Sequence, residues 1–294
     1  MSPIIIHSIT NLKEMAEVEP LEQIIWGIPD IEVTCAHTLH ALVENGSSLI
    51  GAYDQGNLIG FVLGIPALTQ DKTRPLTQRL KMYSYMAGVL PRYQGQGIGY
   101  RLKLAQREDA LRQGYELITW TFDPLESLNA HLNIGKLGAT CRTYHRHFHG
   151  DLGGINAGLP TDRFHVAWWL NRDTIKEEAT RQKWPEQPRS KPALSLPMLI
   201  AQNAIILNPA IINSAGFPIP PEATAPLADQ SLVEIPTNIR AIKEQDPTLA
   251  ETWRYHTRQL FEAAFAQGYA VTDFVYEIAE NGRSRSYYLL TINR

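Results

Sequence analysis

The sequence predicts a mixed α/β protein: a mostly antiparallel sheet flanked by helices, followed by a smaller C-terminal α/β domain. Three observations predict it. Segments that alternate like strands and segments with helical spacing interleave along the chain. A glycine-rich turn, Gln94-Gly95-Gln96-Gly97-Ile98-Gly99, joins one such strand to one such helix. Proline-rich stretches then set a tail apart. The expected partition is a first domain over residues 1–172, a proline-rich linker with a short strand over 173–230, and a C-terminal α/β domain over 231–294.

Pro3 to Ile9 reads as a strand. Asn11 to Ile25 carries Leu12, Met15, Leu21, Ile24 and Ile25 at helical spacing, interrupted by Pro20. Thr34 to Val43 is a second helical run that stops near Asn45-Gly46. Ser48 to Tyr53 and Leu58 to Leu63 are strands around Asp54-Gln55-Gly56-Asn57, a hairpin signal. Thr69 to Gln78 is polar, carries Pro75 and is expected as a loop. Lys81 to Val89 alternates as a strand, with Met82, Ser84, Met86 and Gly88 on one face. Pro91 ends it, because proline cannot donate to a ladder. After the turn, Leu102, Leu104, Ala105 and Leu111 recur at helical spacing, with Arg101, Lys103, Arg107, Glu108 and Arg112 between them. Gly114 ends that helix. Tyr115 to Phe122 is a strand that stops at Asp123-Pro124. Leu125 to Leu137 is a helix capped by Gly138, Thr140 to His149 a strand, Gly150 to Pro160 a loop, and Arg163 to Leu170 the last strand of the domain.

In the tail, Trp184-Pro185-Glu186-Gln187-Pro188 and Lys191-Pro192 read as linker, and Pro218, Pro220, Pro221 and Pro226 form a second proline patch. Met198 to Leu207 is expected as a strand. Leu232 to Pro236, a helix over about 248–266, a strand over 269–276, a turn at Asn281-Gly282 and a strand over 286–292 follow. Val89-Leu90-Pro91, helix, Gln113-Gly114-Tyr115 is echoed by Glu234-Ile235-Pro236, helix, Gln267-Gly268-Tyr269. The echo reads either as a degenerate half-repeat without the glycines or as coincidence between two strand–helix–strand units.

Net charge is −3 and no dense Lys/Arg run occurs, which gives no support to nucleic acid or a polybasic membrane contact. No apolar run approaches the ~20 residues of a membrane span. The N-terminus lacks the basic segment of a signal peptide. Two cysteines, Cys35 and Cys141, make no disulfide framework, so a cytoplasmic location is expected.

Three glycines let the turn bend tightly and let a ligand approach bare backbone. The helix that follows opens with unpartnered N–H groups and a positive dipole, which suits a phosphate. The spacing is neither that of a dinucleotide fold nor that of a P-loop. The alternative is a tight turn with no ligand.

Gln94-Gly95-Gln96-Gly97-Ile98-Gly99, with its Val-x-Pro lead-in at Val89 to Pro91, resembles the acyl-CoA pyrophosphate loop of the GNAT superfamily of N-acetyltransferases. The element order resembles that fold over residues 1 to about 172. Ile134-Gly135-Lys136-Leu137-Gly138-Ala139 is similar to the end of its last helix, and Ala130 sits where the family has a small residue. The whole chain resembles a bacterial acetyltransferase branch with a C-terminal extension, through Thr121-Phe122-Asp123-Pro124-Leu125, Asn156-Ala157-Gly158-Leu159-Pro160 and Trp253-Arg254.

The resemblance implies a GNAT-like fold, acetyl-CoA or another acyl-CoA as donor, and an amine acceptor, expected to be a small molecule. It implies that pantetheine bonds to backbone at Ala87, Gly88, Val89 and Leu90, where the central strand splays from its neighbour. The pyrophosphate would go to Gln94, Gly95, Gln96, Gly97, Ile98 and Gly99, with Tyr100 and Arg101 beside it. For Arg101 a solvated helix face is the alternative. The family's Asn on pantetheine is Ser127 here, with Asn129 as a substitute. The family's central-strand Glu is missing from Leu80–Leu90, and its last-helix Tyr is Ile134.

Two replacements are candidates for catalysis. Asp123 could act as base or simply as a helix N-terminal acid; Tyr144 could supply a phenol or pack in the sheet. His145, His147 and His149 alternate, so they share one strand face, read as a polar substrate-facing rim, a solvated face or, less simply, a metal site. No metal is expected. With His145 and His147, Asn156, Asp162 and Arg163 on the following loop are the expected acceptor-binding residues. The rival reading is a non-catalytic acyl-CoA-binding or sensing protein. The tail is expected to pack on the first domain or to form a homodimer.

Overall fold

The computed structural model describes residues 3–150, 153, 158–170, 194–222, 224, 227–278 and 282–292. They form two compact units. The first holds residues up to 120 together with 153 and 168–170; the second holds 121–150, 158–167 and the described residues from 194 onward. The linker motifs at 184–188 and 191–192, Pro226 and Asn281 lie outside the described residues.

The first unit runs β1 (Ile5–Ser8), α1 (Leu12–Ala16), α2 (Val18–Trp26), α3 (Ala36–Glu44), β2 (Ser48–Asp54), β3 (Asn57–Leu68), β4 (Leu80–Val89), α4 (Ile98–Arg112) and β5 (Leu117–Phe122), whose last two residues pass into the second unit. Strand order is β1-β2-β3-β4-β5, antiparallel except for the β4–β5 pair. The first helical run breaks at Glu17 rather than at Pro20. Pro20 falls in the first turn of α2, where its missing N–H would have had no intrahelical acceptor. Gln55 and Gly56 both have positive φ, 50° and 82°, the primed turn that matches the twist of the β2–β3 hairpin. Ile9, Met15, Leu39, Ile59, Phe61 and Val62 are fully buried at the centre of this unit.

One irregularity changes the faces of β4. Leu63 pairs with Met86, but the next residue of β3, Gly64, pairs with Ser84. β4 thus carries one extra residue, a β-bulge, and its alternation flips there. Ser84 faces α4, where its Oγ meets Lys103 Nζ at 2.6 Å. A Cβ on Gly88 would instead meet Ile25 and Trp26 of α2, at 2.9 and 3.3 Å. Met82, Ser84, Met86 and Gly88 therefore do not share one face, as the alternation had predicted.

The second unit contains α5 (Ser127–Ala130), a π turn over His131–Lys136, β6 (Thr140–His145), β7 (Arg163–Trp169), α6 (Leu196–Ala201), β8 (Ile205–Ile206), β9 (Ile211–Ile212), β10 (Pro218–Ile219), β11 (Gln230–Ile235), α7 (Ile239–Gln245), α8 (Pro247–Ala266), β12 (Tyr269–Ile278) and β13 (Ser284–Ile292). Its strands run in the order β7-β6-β12-β13-β11-β8. β13 lies antiparallel between β11 and β12, so the tail repeats the order strand, helix, strand without placing its two strands side by side. The strand expected over Met198–Leu207 shrinks to Ile205–Ile206, because the segment begins in α6, which runs to Ala201. Ser195 caps α6 with its Oγ, and Pro197 sits in the first turn. Phe164, Phe261, Phe265 and Tyr288 pack with ring centroids 4.7–6.1 Å apart. Among the described residues no helix is long and apolar enough to cross a membrane.

Candidate functional site

The glycine turn lies in the first unit. Gly95 and Gly97 both have φ of 77°, the left-handed conformation that explains glycine at these two positions. A Cβ built on either would meet nothing within 4 Å, so the turn is also bare on its open side. Gln94 donates to the Val89 carbonyl at 2.9 Å and Gln96 to that of Arg92 at 3.2 Å, bracing the loop from within. Tyr93 donates to Asp54 at 2.8 Å. Gly97 is the N-cap of the 15-residue helix α4 and brings no side chain to cap it. The N–H groups of Gly95, Gln96, Gly97, Ile98 and Gly99 have no backbone acceptor among the described residues. Five such donors at the positive end of a helix make an anion cradle. Arg101 spends its guanidinium on the Ile4 carbonyl, 2.8 Å away. Tyr100 is half-buried.

β4 and β5 are paired at Met82–Ile118 and Tyr83–Thr119. From Ser84 onward, across Ala87, Gly88 and Val89, the β4 edge has no β5 partner among the described residues. Leu90 donates to Ile59 on the β3 side at 2.9 Å and is buried. An open backbone edge therefore runs into the anion cradle.

The second unit holds a network of buried charges. Asp123, at the end of β5, receives Arg254 of α8 in a two-pronged pair at 2.8 and 2.5 Å, and Arg163 lies 3.6 Å away. Asp123 also accepts the Leu125 N–H at 2.8 Å. One turn along α8, Arg258 grips Asp162 at 2.7 and 2.9 Å. Tyr144 donates to Asp162 at 2.7 Å, and the His147 N–H does so at 3.1 Å. Arg254 and Asp162 are fully buried. Burial pushes Asp162 up, but the bonds from Arg258, Tyr144 and His147 together hold it below the usual carboxylate range. Burial also raises the Tyr144 phenol well above its ordinary value, with Arg254 opposing and Asp162 adding to the rise.

The structure brings Asp123, Tyr144, Asp162 and Arg163 into this one network. The histidines behave differently. β6 ends at His145, and His147 turns to a φ of 47°, so the two do not alternate along one strand face. The His147 N–H bond to Asp162 and a turn closed by Gly150 onto the His147 carbonyl take the chain out of the sheet. His145 stands 3.5 Å from His165, and burial lowers His149. Among the described residues no group of three or more His, Cys, Asp or Glu is arranged to hold a metal. Ser127 is buried and shares a hydrogen bond with Ser286 at 2.7 Å, while Asn129 is exposed. Asn156 lies outside the described residues.

Lys103 and Glu22, both in the first unit, are buried in a way the sequence reading missed. Lys103 is 4 % exposed, bonded to Ser84 and to Gln106, and its Nζ lies 3.9 Å from the Trp120 ring centroid. Burial pushes its ammonium down to about 7. It had been placed among the polar residues between the helix's apolar positions. Glu22, in α2, is 1 % exposed; one oxygen accepts the Thr34 N–H at 3.1 Å and the other has no partner. Burial raises its carboxyl above the ordinary value. No spacing signal marks either residue; only the packing reveals them.

Residues 12–132 match the family model described as the acetyltransferase (GNAT) family. No curated protein matches the chain. Solved structures similar to it include the ribosomal-protein-S18-alanine N-acetyltransferase of Escherichia coli, with 16 % identity, a TM-score of 0.44, and coverage of 58 % of this chain and 96 % of that one. Another is NAA60 of Arabidopsis thaliana in complex with a bisubstrate analogue, with 16 % identity, a TM-score of 0.46, and coverage of 57 % and 100 %. A third is an N-acetyltransferase of Staphylococcus aureus Mu50, with 12 % identity, a TM-score of 0.46, and coverage of 57 % and 99 %.

Proposed function

We infer that this protein, whose residues 12–132 match the GNAT acetyltransferase family model, moves an acyl group, acetyl or longer, from acyl-CoA to an amine acceptor, with a small molecule as the acceptor class. The observation that carries the reading is the cradle at Gly95–Gly99 at the end of an unpaired strand edge. Backbone donors at a helix N-terminus suit a pyrophosphate. An unpaired edge suits the amides of a pantetheine arm, which would add to β4 as a further strand does. Glycine at 95 and 97 fits the group, because the space a Cβ would take is open.

Acyl transfer further needs a base for the amine and a proton for the departing thiolate. Asp123 and Tyr144 are the candidates from the sequence, and each would have to leave a partner to act: Arg254 for one, Asp162 for the other. That commitment favours a second reading, in which the protein binds or senses acyl-CoA without turnover.

Thermal unfolding with acetyl-CoA, longer acyl-CoAs, CoA and NAD tests the first step. A ligand that binds the folded state raises the midpoint by mass action. Acyl-CoA is expected to shift the wild type and not Gly97→Glu, whose carboxylate would occupy the cradle. If no CoA species shifts the wild type, the reading falls. Release of free CoA with a panel of amines then separates the enzyme from the sensor.

A further inference from the structure

We propose that Glu22 is the proton acceptor for the amine, its unpartnered oxygen serving as the site at which the acceptor's ammonium group docks. The proposal rests on the acyl-transfer reading for its chemistry, and on the geometry of the first unit for its place.

The central strand holds no acid between Leu80 and Leu90, so a base must come from another element. α2 is the element laid over that strand. Ile25 and Trp26 are the atoms a Cβ on Gly88 would strike. Glu22 precedes them by one helical turn on the same face. The bulge in β4 matters here, since it turns Gly88 toward α2 and leaves Ser84 facing α4. Thr34 ties Glu22 to that strand: its N–H donates to one Glu22 oxygen at 3.1 Å, and its hydroxyl donates to the Met86 sulfur at 3.9 Å.

Both acids on this face of α2 reach the start of α3. Glu19 accepts the Ala36 N–H at 2.7 Å, at a helix start where Cys35, the N-cap, makes no side-chain capping bond. A purely structural role would end there. Glu22 goes further, because its second oxygen is buried without a hydrogen-bond partner. A buried acceptor left without a donor is costly, and more so if charged. An ammonium group supplies both the missing donor and the missing counter-charge. Burial raises the Glu22 carboxyl, the Thr34 N–H and side chain oppose the rise and Glu19 adds to it, and a raised carboxyl holds a proton more readily than an ordinary one.

The balance is simple. The ammonium gives one proton to the Glu22 carboxylate. The free amine then forms the C–N bond to the acyl carbon as the C–S bond breaks, and the second proton leaves nitrogen for the CoA thiolate. Glu22 returns its proton to solvent.

The test uses the full chain saturated with CoA, with n-butylamine as probe and n-butanol as its uncharged match, followed by thermal unfolding at pH 7.5. Butylamine is expected to raise the midpoint of the wild type, and butanol not. Glu22→Gln keeps an oxygen for the Thr34 N–H and is expected to lose at least ten-fold in apparent amine affinity. Glu22→Asp keeps the charge but withdraws it, and is expected to fall between. Equal butylamine shifts in wild type and Glu22→Gln, or no shift in the wild type, overturn the proposal. If acetyl-CoA fails to shift the wild type while the Glu22-dependent amine response persists, the acyl-transfer reading falls and the ammonium site stands.

Discussion

Each unit buries a cation, and the two are treated in opposite ways. Arg254, in the second unit, is fully buried against Asp123, with a second Arg–Asp pair one helical turn away. Burial works against its charge, but Asp123, Tyr144 and Asp162 outweigh that, and the guanidinium is held above its ordinary value. Lys103, in the first unit, has only a hydroxyl, an amide oxygen and a ring face around it, with no carboxylate at ion-pair distance among the described residues. Its ammonium is pushed down to about 7 by burial alone. Arginine does not give up its proton, so a buried arginine demands acids; lysine can shed its proton and stay where none exist.

The largest loss of stability is expected at the acids of the second unit. Asp162→Ala strands Arg258 and the Tyr144 hydroxyl, and is expected to lower stability by about 3–5 kcal/mol, read from the urea midpoint. A loss under 1 kcal/mol would mean that the network is not held by its charges.

Lys103→Met comes next. A lysine lowered in the folded state adds no instability above its unfolded value of about 10.5. As pH falls toward about 7 the unfolded chain takes up a proton that the folded chain refuses, and stability drops. Below that both states are protonated and the full penalty remains. The wild type is therefore expected to gain stability as pH rises from 7 toward 10, and Lys103→Met to be more stable than it at pH 6 by about 4–5 kcal/mol, with the difference closing in base. A difference that does not change with pH would show that Lys103 keeps its charge in the fold.

The smallest effect is expected at Tyr144→Phe. It removes one of several bonds to Asp162 and should cost about 1 kcal/mol. The same variant sharpens the functional question. If Tyr144 only braces the network, CoA release with an accepted amine should persist; if it delivers the proton to the thiolate, turnover should fall while acyl-CoA still raises the unfolding midpoint.

The two regions also differ in how far the chain alone revealed them. The cradle was legible because it is built from consecutive residues. Glycine at 95 and 97 answers a backbone demand, a φ of 77° and bare approach, and a strand before and a helix after are local patterns. The charge network was not. Asp123, Tyr144, Asp162 and Arg163 were each singled out, but their partners Arg254 and Arg258 stand more than 90 positions along the chain, and no local rule links them.

The histidines failed for a related reason: alternation describes a strand only while the ladder continues, and at His147 a bond to Asp162 ends it. The bulge in β4 is the same lesson on the central strand. Its one extra residue follows from register against β3, and it decides that Ser84 meets Lys103 while Gly88 meets α2.

The sequence by itself determined the interleaved α/β order and the turn at Gly95–Gly99, because periodicity and glycine are local properties. Tertiary structure alone decided which ionisable groups lose their water. Burial of Glu22 and Lys103, and the matching of Arg254 and Arg258 to two distant acids, depend on elements folding back on one another, and desolvation has no signature in the order of residues.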